Sequence, residues 1–266
     1  MSLKIENLTI QFGGLKAVSD LSLEVQKEMI FGLIGPNGAG KTTVFNLLTG
    51  VYQPTSGQIH AFGKNIVGAK PYQITKYGIA RTFQNIRLFK NLTVLDNIMI
   101  AMDNNPQEKH SGMIPSLLRT QGFMRSELHQ TQKAIELLEI FKLESKKTVL
   151  AKNLPYGDQR RLEIARAMAT GAKILLLDEP AAGLNPNETR DLMNTIRLIQ
   201  KQYQMTVLLI EHDMKLVMGI CERIAVLDYG IKIAEGSPQE IQKDSRVIEA
   251  YLGKASNNAQ SQQLRS

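Results

Sequence analysis

Met29-Ile30-Phe31-Gly32-Leu33-Ile34-Gly35-Pro36-Asn37-Gly38-Ala39-Gly40-Lys41-Thr42-Thr43 is the stretch on which the fold turns. Its first part is a nearly continuous apolar run, the pattern of a strand buried on both faces of a parallel sheet. From Gly35 it satisfies GxxxxGK(S/T), placed where such a loop must lie, after a buried strand and before a helix beginning near Thr42. Glycines let the backbone curl so that its N–H groups and the helix N-terminus face phosphate oxygens. Lys41 then neutralises the outer phosphates, and the Thr42 hydroxyl is placed to hold Mg²⁺. Gly35 through Thr43 are therefore the candidate residues for binding a nucleotide.

Working outward, Ile174-Leu175-Leu176-Leu177-Asp178-Glu179-Pro180 reads as a second buried strand that delivers two carboxylates at its C-terminal end, where open α/β sheets place ligands. Asp178 is suited to hold Mg²⁺ through water, and Glu179 to polarise a water attacking a γ-phosphate. An ordinary strand end with exposed acids is the bland alternative, and the phosphate loop weighs against it. Val207 to Ile210 is a third apolar run. Segments of helical character, about Arg160 to Ala169 and Glu188 to Gln202, precede the later strands, so strand and helix alternate as in an α/β fold with a mainly parallel sheet. Alternation through Leu3, Ile5, Leu8, Ile10 and Phe12, and again through Leu21, Leu23 and Val25, predicts a small β portion at the N-terminus. From about Thr93 to Lys147 the chain reads as helices, including Glu127 to Phe141 with Leu128, Ile135, Leu138 and Phe141 on one buried side. Residues 1–253 are thus one unit with a helical lobe inserted at about 88–160, and 254–266 a flexible polar tail. No internal repeat is present.

The 266 residues, 43% apolar and 21% charged, have ordinary globular composition and exclude wholesale disorder. No apolar run approaches the length of a membrane span, and the opening MSLKIENLTI lacks a secretory pattern, so the expectation is a chain that neither crosses a membrane nor is exported. The single Cys221 excludes an internal disulfide and a cysteine-only metal site, and fits a reducing cytoplasm. The 32 Lys and Arg exceed the 25 Asp and Glu by +7, which suits nucleic acid, anionic lipid or polyphosphate. The basic residues are scattered and Trp is absent, so nucleic acid is not expected.

Together with further segments, these motifs resemble the ATP-binding cassette of an ABC transporter, a P-loop NTPase. The resemblance implies ATP hydrolysis with Mg²⁺. It places Gln84, in Arg81-Thr82-Phe83-Gln84, as the glutamine that contacts Mg²⁺ and the attacking water, His212 as the histidine at the γ-phosphate, and Phe12 as the aromatic that stacks on adenine. By its own pattern Phe12 could equally be core. Leu154-Pro155-Tyr156-Gly157-Asp158-Gln159-Arg160-Arg161 matches the signature segment, whose usual form is Leu-Ser-Gly-Gly-Gln and which binds the γ-phosphate held by the opposite subunit. Pro155 removes a hydroxyl and an N–H there, leaving Tyr156, Gly157 and the helix end as donors.

Tyr156-Gly157 followed by Gln-Arg-Arg-Leu-Glu-Ile-Ala-Arg, the loop Ala181 to Pro186, and Ile210-Glu211-His212-Asp213 resemble the ATP-binding subunits of branched-chain amino acid importers. That branch implies permease transmembrane subunits, a second cassette in a heterodimer, a periplasmic-type substrate-binding protein, and a place at the cytoplasmic face of the membrane. Cassettes for urea, amides or lipid export, and a soluble nucleic-acid-associated ABC ATPase, remain alternatives at this stage, as does a P-loop kinase.

Overall fold

The computed structural model describes residues 1–103, 105 and 121–251. Strands β1 (Leu3–Phe12) and β2 (Leu15–Val25) form a hairpin turned by Gly13. In β1 the two-residue period breaks between Ile5 and Leu8, where Asn7 takes φ 49° and the register with β2 shifts. This bulge keeps Leu3, Ile5, Leu8 and Ile10 all buried. Next come β3 (Ile30–Ile34), α1 (Lys41–Leu48), β4 (Ser56–Ala61), β5 (Lys64–Asn65), α2 (Pro71–Lys76) and β6 (Ile79–Arg81). The helices α3 (Val94–Met102), α4 (Gln121–Ile140) and α5 (Tyr156–Ala169) lead to β7 (Ile174–Asp178). The rest alternates through α6 (Pro186–Tyr203), β8 (Thr206–Ile210), α7 (Met214–Ile220), β9 (Arg223–Asp228), β10 (Ile231–Gly236) and α8 (Pro238–Lys243).

Two sheets result, as the sequence predicts. A four-stranded antiparallel sheet has the order β2-β1-β4-β5, and a six-stranded sheet the order β10-β9-β3-β8-β7-β6, parallel except for β10. The apolar runs are continuous because each central strand feeds two cores. Phe31, Leu33, Leu176, Leu208 and Ile210 pack towards β1, β2 and α1. Ile30, Ile34, Leu175, Leu177, Val207 and Leu209 pack towards α3 to α7.

Helices α3 and α6 begin where local chemistry supplies acceptors for their first N–H groups. Thr93 caps α3 with Asp96, and Asn185 caps α6 with Glu188, with Pro186 as the first helical residue of α6. One expectation fails in α4. Leu138 and Phe141 are fully buried, but Leu128 is 69% exposed. The buried stripe runs through Ala134, Leu137, Leu138 and Phe141, and at about 100° per residue Leu128 falls roughly 130° from its centre. The predicted tail 254–266 and part of the predicted lobe, residues 104 and 106–120, lie outside the described residues.

Cys221 lies under β3, and burial, with the carboxylates of Glu222 and Glu211 adding to it, pushes its thiol up to about 12. The native protein is therefore expected to resist thiol-disulfide reagents at pH 8 and to react at one thiol per chain in urea, as followed by absorbance. Rapid reaction of the folded protein would contradict the packing of β3 on Cys221.

Candidate active site

Parallel pairing sets Leu33 beside Ile210, Ile210 beside Asp178, and Leu176 beside Arg81. The segments that leave β3, β8, β7 and β6 therefore emerge side by side at one edge of the sheet. The loop after β3 is confined by backbone on both sides. A Cβ at Gly35 (φ 149°) would lie 2.0 Å from the Leu227 carbonyl oxygen, and one at Gly40 (φ 100°) 2.6 Å from that of Ala17. Gly40 precedes α1 in the left-handed region without a side-chain cap, and no acid stands in the first turn of α1. Lys41 is buried, and its Nζ donates to the carbonyl oxygens of Gly35 at 2.7 Å and Pro36 at 3.0 Å. Over the loop lies an open cleft of about 300 Å³, walled by Asn37 to Thr43, the β1–β2 turn at Leu15 and Lys16, Glu179 and Tyr229. Its helix N-terminus and Lys41 suit an anion.

The structure brings the three candidate catalytic residues together. Glu179 takes φ 48°, a left-handed turn out of β7 fixed by its N–H on the Ile210 carbonyl at 2.9 Å. Its Oε2 accepts from Gln84 Nε2 at 2.7 Å and stands 3.8 Å from His212 Nδ1. Asp178 is buried, with Oδ2 held by Arg81 Nη2 at 2.6 Å. Arg81 also donates to Asn46 Oδ1 at 2.7 Å, and its guanidinium lies between the rings of Phe45 and Phe83. Thr42, Gln84 and Asp178 offer only oxygen ligands to a cation, hydroxyl, amide and carboxylate, since the Gln84 nitrogen is committed to Glu179. Such donors suit Mg²⁺, which keeps few protein ligands and takes the rest from phosphate and water. Among the described residues no group of three or more His, Cys, Asp and Glu would hold a metal instead.

Sequence reasoning gave no role to several residues that fix this geometry. Glu211 is buried and accepts from Ala181 N at 2.8 Å and His212 N at 3.1 Å, tying the turn after Glu179 to His212. Burial pushes its carboxyl above the usual range, and these N–H donors work against the rise. Arg81 and Arg160, quoted only as members of their motifs, and Asn46 and Glu163 likewise had no role from the sequence. The one available signal was a charged pair, Arg160 and Glu163, on the apolar side of a helix. Phe12 is no core residue; it is 45% exposed, meets Tyr52 edge to face at 5.2 Å, and does not line the cleft, although its cross-strand partner Leu15 does.

Tyr156 and Gly157 open α5 and lie apart from the cleft. Pro155 precedes them with no side-chain cap. Tyr156 is half-exposed, whereas Gly157 is buried so closely that a Cβ there would lie 2.7 Å from Glu188 Oε1. Asp158 turns inward between Lys146 and Arg161. Burial pushes its carboxyl up, but the bonds from Lys146 and Arg161 outweigh this and leave it below the usual range.

Residues 18–182 match the family profile of the ABC transporter, and residues 232–256 that of the branched-chain amino acid ATP-binding cassette transporter. The chain is 48% identical over 253 residues to the high-affinity branched-chain amino acid transport ATP-binding protein LivG of Salmonella typhimurium, covering 95% of this chain and 98% of LivG. It is also 48% identical over 255 residues to BraF of Pseudomonas aeruginosa, a protein of the same description, with 95% and 98% covered. Among solved structures, an ATP-binding cassette of an ABC transporter in its ADP conformation superposes with a TM-score of 0.81 at 32% identity, covering 95% of this chain and 98% of that one.

Replacing Lys41 by Ala removes the buried cation from the loop. Nucleotide affinity, measured by isothermal titration with ATP and Mg²⁺, is expected to fall by about 3 kcal/mol, roughly a hundredfold. Unchanged binding would show that the phosphates lie elsewhere.

Proposed function

This chain belongs to the ABC transporter family of ATP-binding cassettes, ATPases that bind and hydrolyse the nucleotide, and on that premise we propose that it drives a membrane importer of branched-chain amino acids. The observation that carries the reading is the hydrogen bond of Gln84 to Glu179 at the rim of the Lys41 cleft. The match of residues 232–256 to the branched-chain cassette profile supports that cargo over urea, amides or lipid.

In this reading the loop N–H groups from Gly35 to Thr43 and Lys41 cradle the phosphates of ATP, while Phe12, backed by Tyr52, stacks on adenine. Thr42, Gln84 and Asp178 would hold Mg²⁺, which when bound supplies positive charge to the phosphate oxygens. Glu179 takes the proton of the attacking water, Gln84 orients that water, and His212 senses the γ-phosphate.

Tyr156 and Gly157 complete the phosphate site of a second cassette, so two cassettes close around ATP and reopen after hydrolysis. Without a hydroxyl or N–H at Pro155 the grip on the partner's phosphate is weaker by about 1–3 kcal/mol. A heterodimer would carry that weakness once, a homodimer twice, which favours a heterodimer. No helix among the described residues is long and apolar enough to cross a membrane. Permease subunits then hold the chain at the cytoplasmic face, and a separate binding protein delivers the amino acid.

Glu179→Gln is expected to bind ATP within about threefold of the wild type and to lose hydrolysis by about 10²–10⁴-fold, as read by titration and phosphate release. Full turnover would place the base elsewhere. The same variant with ATP should sediment as a tight dimer only when the second cassette is added. A tight homodimer unaffected by Pro155→Ser would remove the case for a heterodimer.

A further inference from the structure

Arg160 heads the fully buried side chains of the described residues by volume, and it carries a charge. Its ion-pair partner Glu163, one turn along α5, is also buried, at 3.0 Å. The pair does more than satisfy itself. Nη1 of Arg160 donates to the Phe83 carbonyl at 2.6 Å and Nη2 to the Gln84 carbonyl at 2.8 Å. Glu163 Oε1 accepts from Arg87 N at 3.0 Å and Phe83 N at 3.4 Å. One ion pair thus holds four backbone groups between residues 83 and 87. Nη2 also donates to Tyr156 Oη at 3.1 Å.

A buried ion pair is a poor source of net stability, because the desolvation of two charges offsets their attraction. Arg160 adds a further cost, since its Nε has no hydrogen-bond partner in the structure. Stability therefore does not account for the placement, whereas location does. The gripped backbone is that of Gln84, whose side chain reaches Glu179 at 2.7 Å, and the gripping helix is the one that Tyr156 opens.

We infer that Arg160 and Glu163 are positioning residues that hold Gln84 on Glu179 and tie it to Tyr156. The inference rests on the proposed roles of Gln84 and Glu179. The pair is the fixed link between the half-site of this chain that carries Lys41 and the half-site it presents to a partner. When the first turn of α5 moves, the backbone of Gln84 moves with it, because both are bonded to one guanidinium. The link touches neither nucleotide nor water itself.

The experiment is a double-mutant cycle in the full-length chain assembled with the second cassette, reading kcat and KM for ATP hydrolysis. Glu163→Gln puts an amide N–H₂ against Arg160 in place of the carboxylate, and Glu163→Asp keeps the charge but shortens the reach. Expected are a fall in kcat of about ten- to a hundredfold for Gln84→Ala and for Glu163→Gln, a smaller fall for Glu163→Asp, and KM within about threefold. Either change at 163 should then cost nothing further in the Gln84→Ala background. If the losses multiply instead, Glu163 acts independently of Gln84 and the inference fails while the site assignment stands. If Gln84→Ala alone leaves hydrolysis unchanged, the proposed role of Gln84 falls and the inference with it. Should Glu163→Gln fail to fold, Glu163→Asp makes the same comparison with the buried charge retained.

Discussion

A parallel sheet packed on both faces is the constraint on which the rest of the molecule depends. The large apolar residues of β3, β7 and β8 divide between two cores according to the face they occupy, so a one-residue slip of any strand would exchange its whole apolar set between different surroundings. Register is thereby fixed, and with it the height at which every strand ends. The phosphate loop, the Asp178-Glu179 pair, Glu211-His212 and the segment leading to Gln84 meet at one edge because four strands stop there together. Burial of hydrocarbon, at about 1.5–3 kcal/mol for each fully buried large side chain, thus sets the position of polar groups that contribute little to stability themselves.

What the sheet delivers is then adjusted by local charges and local strain. Glu179 leaves β7 with a positive φ, a conformation that costs a non-glycine residue about 1–2 kcal/mol and that swings its carboxylate towards Gln84. Glu211 ties this turn to its neighbour by accepting N–H groups from both the turn after Glu179 and the segment of His212. Arg81 performs a similar service for Asp178 while bonding Asn46 of α1. Three of the converging segments are thus cross-braced by buried ionic groups rather than by apolar contact.

The opening turn of α5 shows the opposite arrangement, with groups left open at the surface. Pro155 contributes no cap, Asp158 is drawn inward by Lys146 and Arg161, and Tyr156 stays half-exposed. The first turn of α5 thus has no side-chain cap at a place where the chain has already committed its nearby charges elsewhere. That disposition agrees with the proposal that an anion on another subunit completes the turn. Gly157 is constrained from within, by Glu188 of α6, which adds a packing reason for a glycine in a segment otherwise read for its donors.

By itself the sequence determined the fold class and named the residues that meet at the sheet edge. The apolar runs ending at Ile34, Leu177 and Ile210, the glycine pattern from Gly35 to Lys41 and the acid pair after Leu177 are local signals, each set by the needs of a strand or a phosphate loop over a few residues. The exposure of Phe12 was not legible, because where the hairpin runs out beyond the core is set by tertiary packing; that of Leu128 was, since at about 100° per residue it stands well round α4 from the stripe of Leu138 and Phe141. Nor were the pairings of Arg81 with Asp178, Glu211 with Ala181, and Arg160 with Phe83 and Gln84, which join residues 97, 30, 77 and 76 positions apart. Only tertiary structure decides such contacts, since a buried charge shows in sequence as one more surface residue until the partners that neutralise it are brought around it.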